Sequence, residues 1–327
     1  MSAQCLWLSE ADVSALMDLR EAIEALERGL LMEARGEAQN MAKTLVRWDD
    51  GSTLHAIGAA VPGSGFAGTK TWAHTPRGAT PLLILFDSGD GSLRAIVEAF
   101  ALGQLRTGGI SGVATRWLAA ADADVLAVIG TGKQMLSQVA AVAAVRPLKR
   151  VRVFSPNAQH RAAAVQRLRS RLDLEVGDAP SVADAVEGAP IITLVTRAQT
   201  PFLTAAMVAR GAHINAIGAI TPDRMEFAPE LLARCSQVVA DSPATAQQLS
   251  RELRDYYGEG TAAWAAVRAL HAVVAERQPR PVGADLTLFK AMGMGVSDLS
   301  LGIEIYEKAM RQGRGRLFPH PERGTQR

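Results

Sequence analysis

The first residues whose types and spacing could do chemistry form a glycine turn. Leu126–Ile129 runs straight into Gly130-Thr131-Gly132-Lys133-Gln134-Met135, and a helical stretch follows to Val145. Strand, glycine turn and helix in that order suit a pyrophosphate. The first glycine permits a tight turn, the second lets the backbone come close, and the helix N-terminus offers free N–H groups at its positive end. The third glycine of the pattern is missing, with Met135 in its place. An ordinary strand-to-helix turn has the same outline, and position is what favours the dinucleotide reading: the turn opens a series of alternating strands and helices at its first strand. On that reading Gly130, Thr131, Gly132, Lys133 and Gln134 hold NADP or NAD. The contact to the adenosine ribose belongs at the end of the next strand, about 20 residues on. Val153-Phe154-Ser155-Pro156-Asn157 stands there, with no carboxylate before Asp173. An acid would bond the ribose hydroxyls and repel a phosphate, so its absence leans towards NADP. Ser155, Asn157 and Arg161 are the candidate phosphate contacts.

The elements that must position this turn can be read from the pattern of apolar runs. From about residue 125 short β-branched runs alternate with Ala-rich helical stretches: Val125–Ile129, Val151–Phe154, Leu174–Val176, Ile191–Val195, His213–Ile217 and Val238–Ala240. Continuous apolar runs are what strands buried on both faces of a parallel sheet look like, and each needs a crossover before the next. Six of them predict a doubly wound α/β sheet. Before it, Asp12–Gly36 has the spacing of one amphipathic helix. Thr44–Trp48, Thr53–Ala60, Gly68–Ala73, Leu82–Asp87 and Leu93–Glu98 then read as strands, separated by turns at Asp49-Asp50-Gly51-Ser52, Pro62–Gly65, Pro76-Arg77-Gly78 and Asp87–Gly91. A helix over Leu102–Ala121 carries the chain onward. Ser297–Gln312 is again helical, and the tail Arg314–Arg327 reads as a polar, basic, solvated end.

The 327 residues, 48% hydrophobic and 21% charged, suffice for about two domains. Lys and Arg number 35 against 33 Asp and Glu, a net charge of +2 that disfavours nucleic acid as a partner. Cys5 and Cys235 are too far apart in sequence for a Cys-x-x-Cys pair, and both read as buried thiols of a reducing compartment. Glu10 and Asp12 interrupt any export signal, and no apolar stretch approaches the ~20 residues of a membrane span. A soluble, cytoplasmic protein without a metal is therefore expected.

Several blocks, in order, resemble the ornithine cyclodeaminase/mu-crystallin family over nearly the whole chain. They are Gly68-Thr69-Lys70, Leu105-Arg106-Thr107-Gly108, Val128–Gln134, Gly211–Gly218 with Thr221-Pro222-Asp223, Val239-Ala240-Asp241-Ser242, and Leu288–Gly293 followed by Asp298. The resemblance implies a homodimer. It also implies an N-terminal α/β domain (1–112) that binds substrate and pairs the subunits, a Rossmann domain (113–290), and a C-terminal helix and polar tail (291–327) returning to the first domain. Family activities include ornithine cyclodeamination, reduction of cyclic ketimines, alanine dehydrogenation and opine-type steps. Their shared chemistry is hydride transfer between nicotinamide and the carbon of an amino or imino acid.

Such a transfer needs the substrate carboxylate held still and a proton kept on nitrogen. Arg47, Lys70 and Arg106 match the family's cationic positions, where an arginine fork and a lysine point charge would grip a carboxylate. Lys70 is expected to bind that carboxylate and to be the candidate proton donor. Asp298 either caps the last helix or, as the family suggests, faces the active site. The resemblance places Arg106 and Thr107 near the cofactor as well. Ala216, Ile217 and Gly218, with Met292 and Gly293, are expected to line the nicotinamide pocket. His213 and Asn215 sit on a buried strand, where a histidine is usually a satisfied core residue, and His74 is an unassigned candidate acid.

Two departures bear on the substrate. Members that cyclise ornithine carry an aspartate just after the Asn-Ala-Ile/Val-Gly block, and by counting that position is Ile220. They also carry an acid upstream of the lysine, where Leu54–Gly58 offers only His55. An apolar Ile220 cannot pair with a second ammonium. The leading expectation is an NAD(P)H-dependent imino-acid or cyclic-ketimine reductase acting on a substrate with one carboxylate. An ornithine cyclodeaminase-type lyase using bound NAD and a non-catalytic mu-crystallin-like binding protein are the alternatives.

Overall fold

The computed structural model describes residues 4–48, 51–277 and 280–321. Asp49 and Asp50 of the first turn and residues 322–327 of the tail lie outside them. The chain divides into two units, Met1–Arg106 with Met294–Arg327, and Thr107–Gly293. In chain order the first unit contributes β1 (Gln4–Leu8), α1 (Glu10–Leu16), α2 (Leu19–Ala34), β2 (Gln39–Asn40), β3 (Thr44–Trp48), β4 (Ser52–Val61), β5 (Phe66–Thr75), β6 (Gly78–Ala79), β7 (Leu82–Asp87) and β8 (Leu93–Glu98). After α3 (Phe100–Leu118) come β9 (Val125–Ile129), α4 (Met135–Val145), β10 (Arg150–Phe154), α5 (Ala158–Arg169), β11 (Glu175–Asp178), α6 (Val182–Val186), β12 (Ile191–Leu194) and β13 (His213–Ala216). Then follow β14 (Cys235–Ala240), α7 (Pro243–Leu249), α8 (Arg251–Tyr257), β15 (Val267–Ala269), α9 (Leu270–Ala275) and β16 (Leu286–Lys290), before α10 (Gly295–Gln312) and β17 (Arg316–Pro319) return to the first unit.

The second unit is a parallel sheet in the order β11-β10-β9-β12-β13-β16-β14-β15. Side chains of β9 alternate between two cores, as burial on both faces requires. Leu126 and Val128 pack with Met135, Val139, Val142 and Leu168, whereas Ala127 and Ile129 pack with Ile192, Leu194, Ala216 and Leu231. Strand order runs outward in both directions from β9, so the carboxyl ends of β9 and β12 flank the switch point where such sheets bind ligands. The Arg146 guanidinium closes the C-terminal end of α3 by donating to the carbonyls of Thr115, Arg116, Ala119 and Ala120 at 2.7–2.9 Å.

The first unit is a largely antiparallel sheet, β17-β1-β8-β7-β5-β4-β2, with β3 paired to β4 and β6 to β5. Helix α10 lies on it. Side chains cannot intervene where Gly302 meets Leu83 of β7 and Gly29 of α2 meets Ser300 of α10, since a Cβ at either glycine would come within 2.2 Å of the facing side chain. Gly313, in the left-handed conformation at φ 62°, ends α10.

Three expectations are corrected here. The single helix predicted over Asp12–Gly36 is two: Asp18 caps α2 in a reciprocal box with Glu21, and Met17 before it is extended. The tail is not wholly a solvated end, because Arg316–Pro319 pairs antiparallel with β1, Cys5 opposite Phe318. Cys235 is half-buried rather than buried like Cys5, and burial still pushes its thiol up to about 12. Sequence reading also left out β15 and β16 as strands. Among the described residues no helix is long and apolar enough to cross a membrane.

Candidate active site

Lys70, Trp72 and His74 alternate along β5, so they share a face with the β4 residues directly opposite them, Ile57, His55 and Thr53. Lys70 is 5% exposed, and its Nζ donates to Asp298 Oδ1 of α10 at 2.5 Å. Arg106 Nε lies 3.4 Å from the same oxygen. Asp298 Oδ2 and Arg106 Nε are buried with no hydrogen-bond partner among the described residues, which leaves an acceptor and a donor for a bound molecule. Asp298 does not cap its helix: the capping position is Met294, four residues earlier, and makes no side-chain cap bond. Burial lowers Lys70 to about 8, with the Arg106 charge acting the same way and Asp298 opposing both. Burial alone would raise Asp298, but Lys70 and Arg106 outweigh it and hold the carboxyl below its ordinary value.

Trp72 forms the edge of this group. Lys70 Nζ sits 5.3 Å from the centre of its ring, and the His55 ring stacks on it at 4.7 Å and 11°. His55 Nε2 also lies 2.7 Å from Thr53 Oγ1. Burial, then the charges of Lys43, His74 and Arg47, lower His55 to about 4, so it is neutral at physiological pH. Thus Lys70, Asp298 and Arg106 come together. Arg47 is exposed on β3, near His55, and makes no ion pair with that group among the described residues.

In the second unit Gly130 has φ 116°, and a Cβ there would fall 2.5 Å from the Val195 carbonyl, so only glycine fits. A Cβ at Gly132 would meet nothing within 4 Å, which leaves room along the turn. Gln134 precedes α4 without a side-chain cap bond, and the Met135 N–H turns back to the Gly132 carbonyl at 3.2 Å, closing the glycine turn against the helix start. Met135, at the place of the missing third glycine, is buried in the core. Close helix packing is provided by Gly108 instead, whose Cβ would fall 2.8 Å from the Ser137 carbonyl of α4. The Thr107 carbonyl accepts from Gln138 Nε2 at 2.9 Å. This cradle fits a dinucleotide pyrophosphate.

At the end of β10, Ser155 is buried and Asn157 uses its side chain to cap α5, accepting from His160 N at 3.0 Å. Arg161 lies over the Phe154 ring, donates to the Ser155 carbonyl at 2.7 Å and stands 3.7 Å from Asp178. At the ends of β13 and β16, Ala216, Ile217 and Met292 are buried. The N–H groups of Met292 and Gly293 bind Asp241 Oδ1 and Oδ2 at 2.7 and 2.8 Å, and those of Gly218 and Ala219 bind Glu226. Sequence reading assigned no role to these two acids. Their signal was an acid inside an apolar run, Val238–Ala240 before Asp241 and Met225-Glu226-Phe227. His213 is fully buried between Thr287 Oγ1 and Asn215 Oδ1, a satisfied core histidine.

Sheet order and glycine turn together define a Rossmann-type dinucleotide-binding protein with a second, strand-rich unit. The chain belongs to the ornithine cyclodeaminase/mu-crystallin family, whose model matches residues 4–313. It is 30% identical over 239 residues to a delta(1)-pyrroline-2-carboxylate reductase of Bacillus cereus, 72% of each chain. It is 32% identical over 228 residues to the ketimine reductase mu-crystallin of Rattus norvegicus, covering 69% of this chain and 68% of the relative. Thermococcus litoralis delta(1)-pyrroline-2-carboxylate reductase, solved with NADH and L-proline, superposes with a TM-score of 0.89 at 26% identity, covering 95% of this chain and 99% of its own. An archaeal alanine dehydrogenase dimer with bound NAD gives 0.88 at 25% identity, covering 97% and 99%.

Proposed function

We propose that the protein is an NAD(P)H-dependent reductase of imino acids or cyclic ketimines, an amino-acid dehydrogenase in the reverse direction. The observation that carries this reading is the buried group Lys70, Asp298 and Arg106. Its two cations on one carboxylate suit the grip of a substrate carboxylate, and burial lowers Lys70 to about 8, near the range of a proton donor. Lys70 and Arg106 grip the carboxylate, with Arg47 as a further cation from β3. The Lys70 ammonium gives a proton to the substrate nitrogen, and Asp298 Oδ1 holds that ammonium in place. Nicotinamide supplies the hydride that goes to the imine carbon, so C=N becomes CH–NH.

Gly130, Thr131, Gly132, Lys133 and Gln134 would hold the pyrophosphate, assisted by Arg106 and Thr107. Ala216, Ile217, Gly218, Met292 and Gly293 would line the nicotinamide. Ser155, Asn157 and Arg161 would face the adenosine ribose, where the lack of an acid in Ser155–Asn157 favours NADPH and the Asp178 charge beside Arg161 offsets part of that preference. Ile220, half-buried and apolar, opposes a diamino acid.

A homodimer paired through the first unit is supported by the dimeric archaeal relative and by the exposed apolar side chains of β3 and β4, among them Val46, Trp48 and Leu54. Two free thiols suit a reducing cytoplasm.

The test is to follow absorbance loss of NADPH, then NADH, with cyclic ketimines and with keto acids plus amines, while assaying ammonia release from ornithine. Cofactor consumption with an imino acid supports the reading. Proline and ammonia from ornithine without net cofactor change would overturn it.

A further inference from the structure

Glu226 lies between β13 and β14, fully buried. Its Oε1 accepts from the Thr196 backbone N–H at 2.6 Å and from Thr196 Oγ1 at 2.8 Å. Its Oε2 accepts from the N–H groups of Gly218 at 2.8 Å and Ala219 at 3.0 Å. Thr196 lies just past β12 and Gly218 just past β13, two neighbouring parallel strands whose ladder ends at Leu194 and Ala216. The ladder ends there although the two segments stay close, and the N–H groups of Thr196, Gly218 and Ala219 take an acceptor outside it. Glu226 provides it for both.

The fit leaves no slack. A Cβ on Gly218 would fall 2.1 Å from the Thr196 carbonyl and 2.5 Å from Glu226 Oε1. Gly130 of the nucleotide turn rests on the same segment, its Cβ position 2.5 Å from the Val195 carbonyl and 3.2 Å from Thr196 Cγ2. Glu226 is itself fixed. Its N–H donates to Glu252 Oε1 at 3.1 Å, and both oxygens of Glu252 bind Lys290 Nζ at 3.2–3.3 Å, with neither partner exposed. Burial raises the Glu226 carboxyl, and the Lys290 charge draws it back.

We propose that Glu226 is a positioning residue for the nicotinamide cofactor, its carboxylate setting the distance between the Thr196 and Gly218–Ala219 segments and, through Val195, the seat of the Gly130 turn. The proposal rests on the reading of this unit as the cofactor site. Four donors converge on two oxygens, and only a group that accepts at both ends satisfies them. An amide of the same shape would turn its N–H groups against the Gly218 and Ala219 donors in one orientation and against the Thr196 N–H in the other, where only the Thr196 hydroxyl can reverse to accept. Glu226 is not placed against the cofactor and acts through the backbone it holds.

The experiment measures equilibrium affinity for NADH and NADPH, by nicotinamide fluorescence, in the full-length protein and in Glu226→Gln and Thr196→Val, with thermal midpoints alongside. Glu226→Gln is expected to weaken the better cofactor at least tenfold and to raise its KM while leaving the imino-acid KM within about twofold. Thr196→Val, which removes one donor, should weaken it several-fold. A lowered midpoint with unchanged affinity in both variants would show a merely structural role and overturn the proposal. If Glu226→Gln does not fold, unchanged affinity in Thr196→Val overturns it equally. Loss of affinity in the wild-type protein itself would remove the cofactor reading and this proposal together, whereas wild-type binding matched by the variants removes this proposal alone.

Discussion

Gly295, the first residue of α10, sits against the backbone of Gly58 in β4 so closely that a Cβ would fall 1.8 Å from the Gly58 carbonyl oxygen. The start of the helix is thereby fixed on the sheet three residues before Asp298. Gly295→Ala must push α10 outward. A loss of roughly 1–3 kcal/mol, the usual cost of overpacking, is expected in urea unfolding, with a fall in kcat/KM because Asp298 moves from Lys70. Wild-type stability would show that the helix gives way without cost.

The protonation of Lys70 sets a limit on the alkaline side. Its folded value of about 8 lies below the ordinary 10.5, so the ammonium is present below about pH 8 and lost above it. In the reductive direction kcat/KM should fall about tenfold per pH unit above 8, and amine oxidation should rise up to the same point. Stability moves the other way: the unfolded chain keeps its proton up to 10.5, so this residue makes the fold more stable as pH rises from 8 to 10.5. A pH–rate profile flat through pH 9, in both directions, would remove Lys70 from proton transfer.

Asp298→Asn keeps the shape of the side chain and removes its charge. Lys70 then loses the one neighbour that holds its proton, and the alkaline limb should move to lower pH. Breaking a buried pair from one side also costs about 3–5 kcal/mol, readable as a lower denaturant midpoint. An unmoved alkaline limb would mean that Asp298 does not set the Lys70 proton.

Acid should loosen both units through their histidines. His213 is lowered to about 3 and His55 to about 4, so both stay neutral in the fold while the unfolded chain takes up protons below its ordinary 6.5. Stability therefore falls as pH drops from 6.5 towards 3–4. For fully buried His213 the loss is about 3 kcal/mol by pH 4, at about 1.4 kcal/mol per unit. His213→Asn should flatten that slope in urea titrations between pH 6 and 4, and an unchanged slope would assign the acid sensitivity elsewhere.

Much of this was legible because burial leaves a pattern. The six β-branched runs became β9 to β14, and Gly130 stands at the end of the central strand as the turn required. The grouping of Lys70 with Asp298 was not readable from spacing: 228 positions separate them, and only the return of α10 to the first sheet joins them. Helix α2 was merged with α1 because apolar spacing continues across Asp18, and what divides them is a capping box formed by polar residues. An acid between Met225 and Phe227 marks Glu226 as buried, but three of its four partners are backbone N–H groups, which every residue carries, so the sequence does not show what it holds.

The last strand gives the protein an order of assembly. β17 pairs with β1, and α10 lies on the sheet of the first unit, so that unit contains residues from both ends of the chain, whereas Thr107–Gly293 is continuous. During synthesis the cofactor-type sheet can therefore close while the ribosome is still making the remainder. The N-terminal strands must wait, with one face open and Lys70 without its counter-charge, until the final 30-odd residues emerge. Until α10 emerges the nascent chain exposes apolar sheet, and truncation before Gly295 leaves it in that condition.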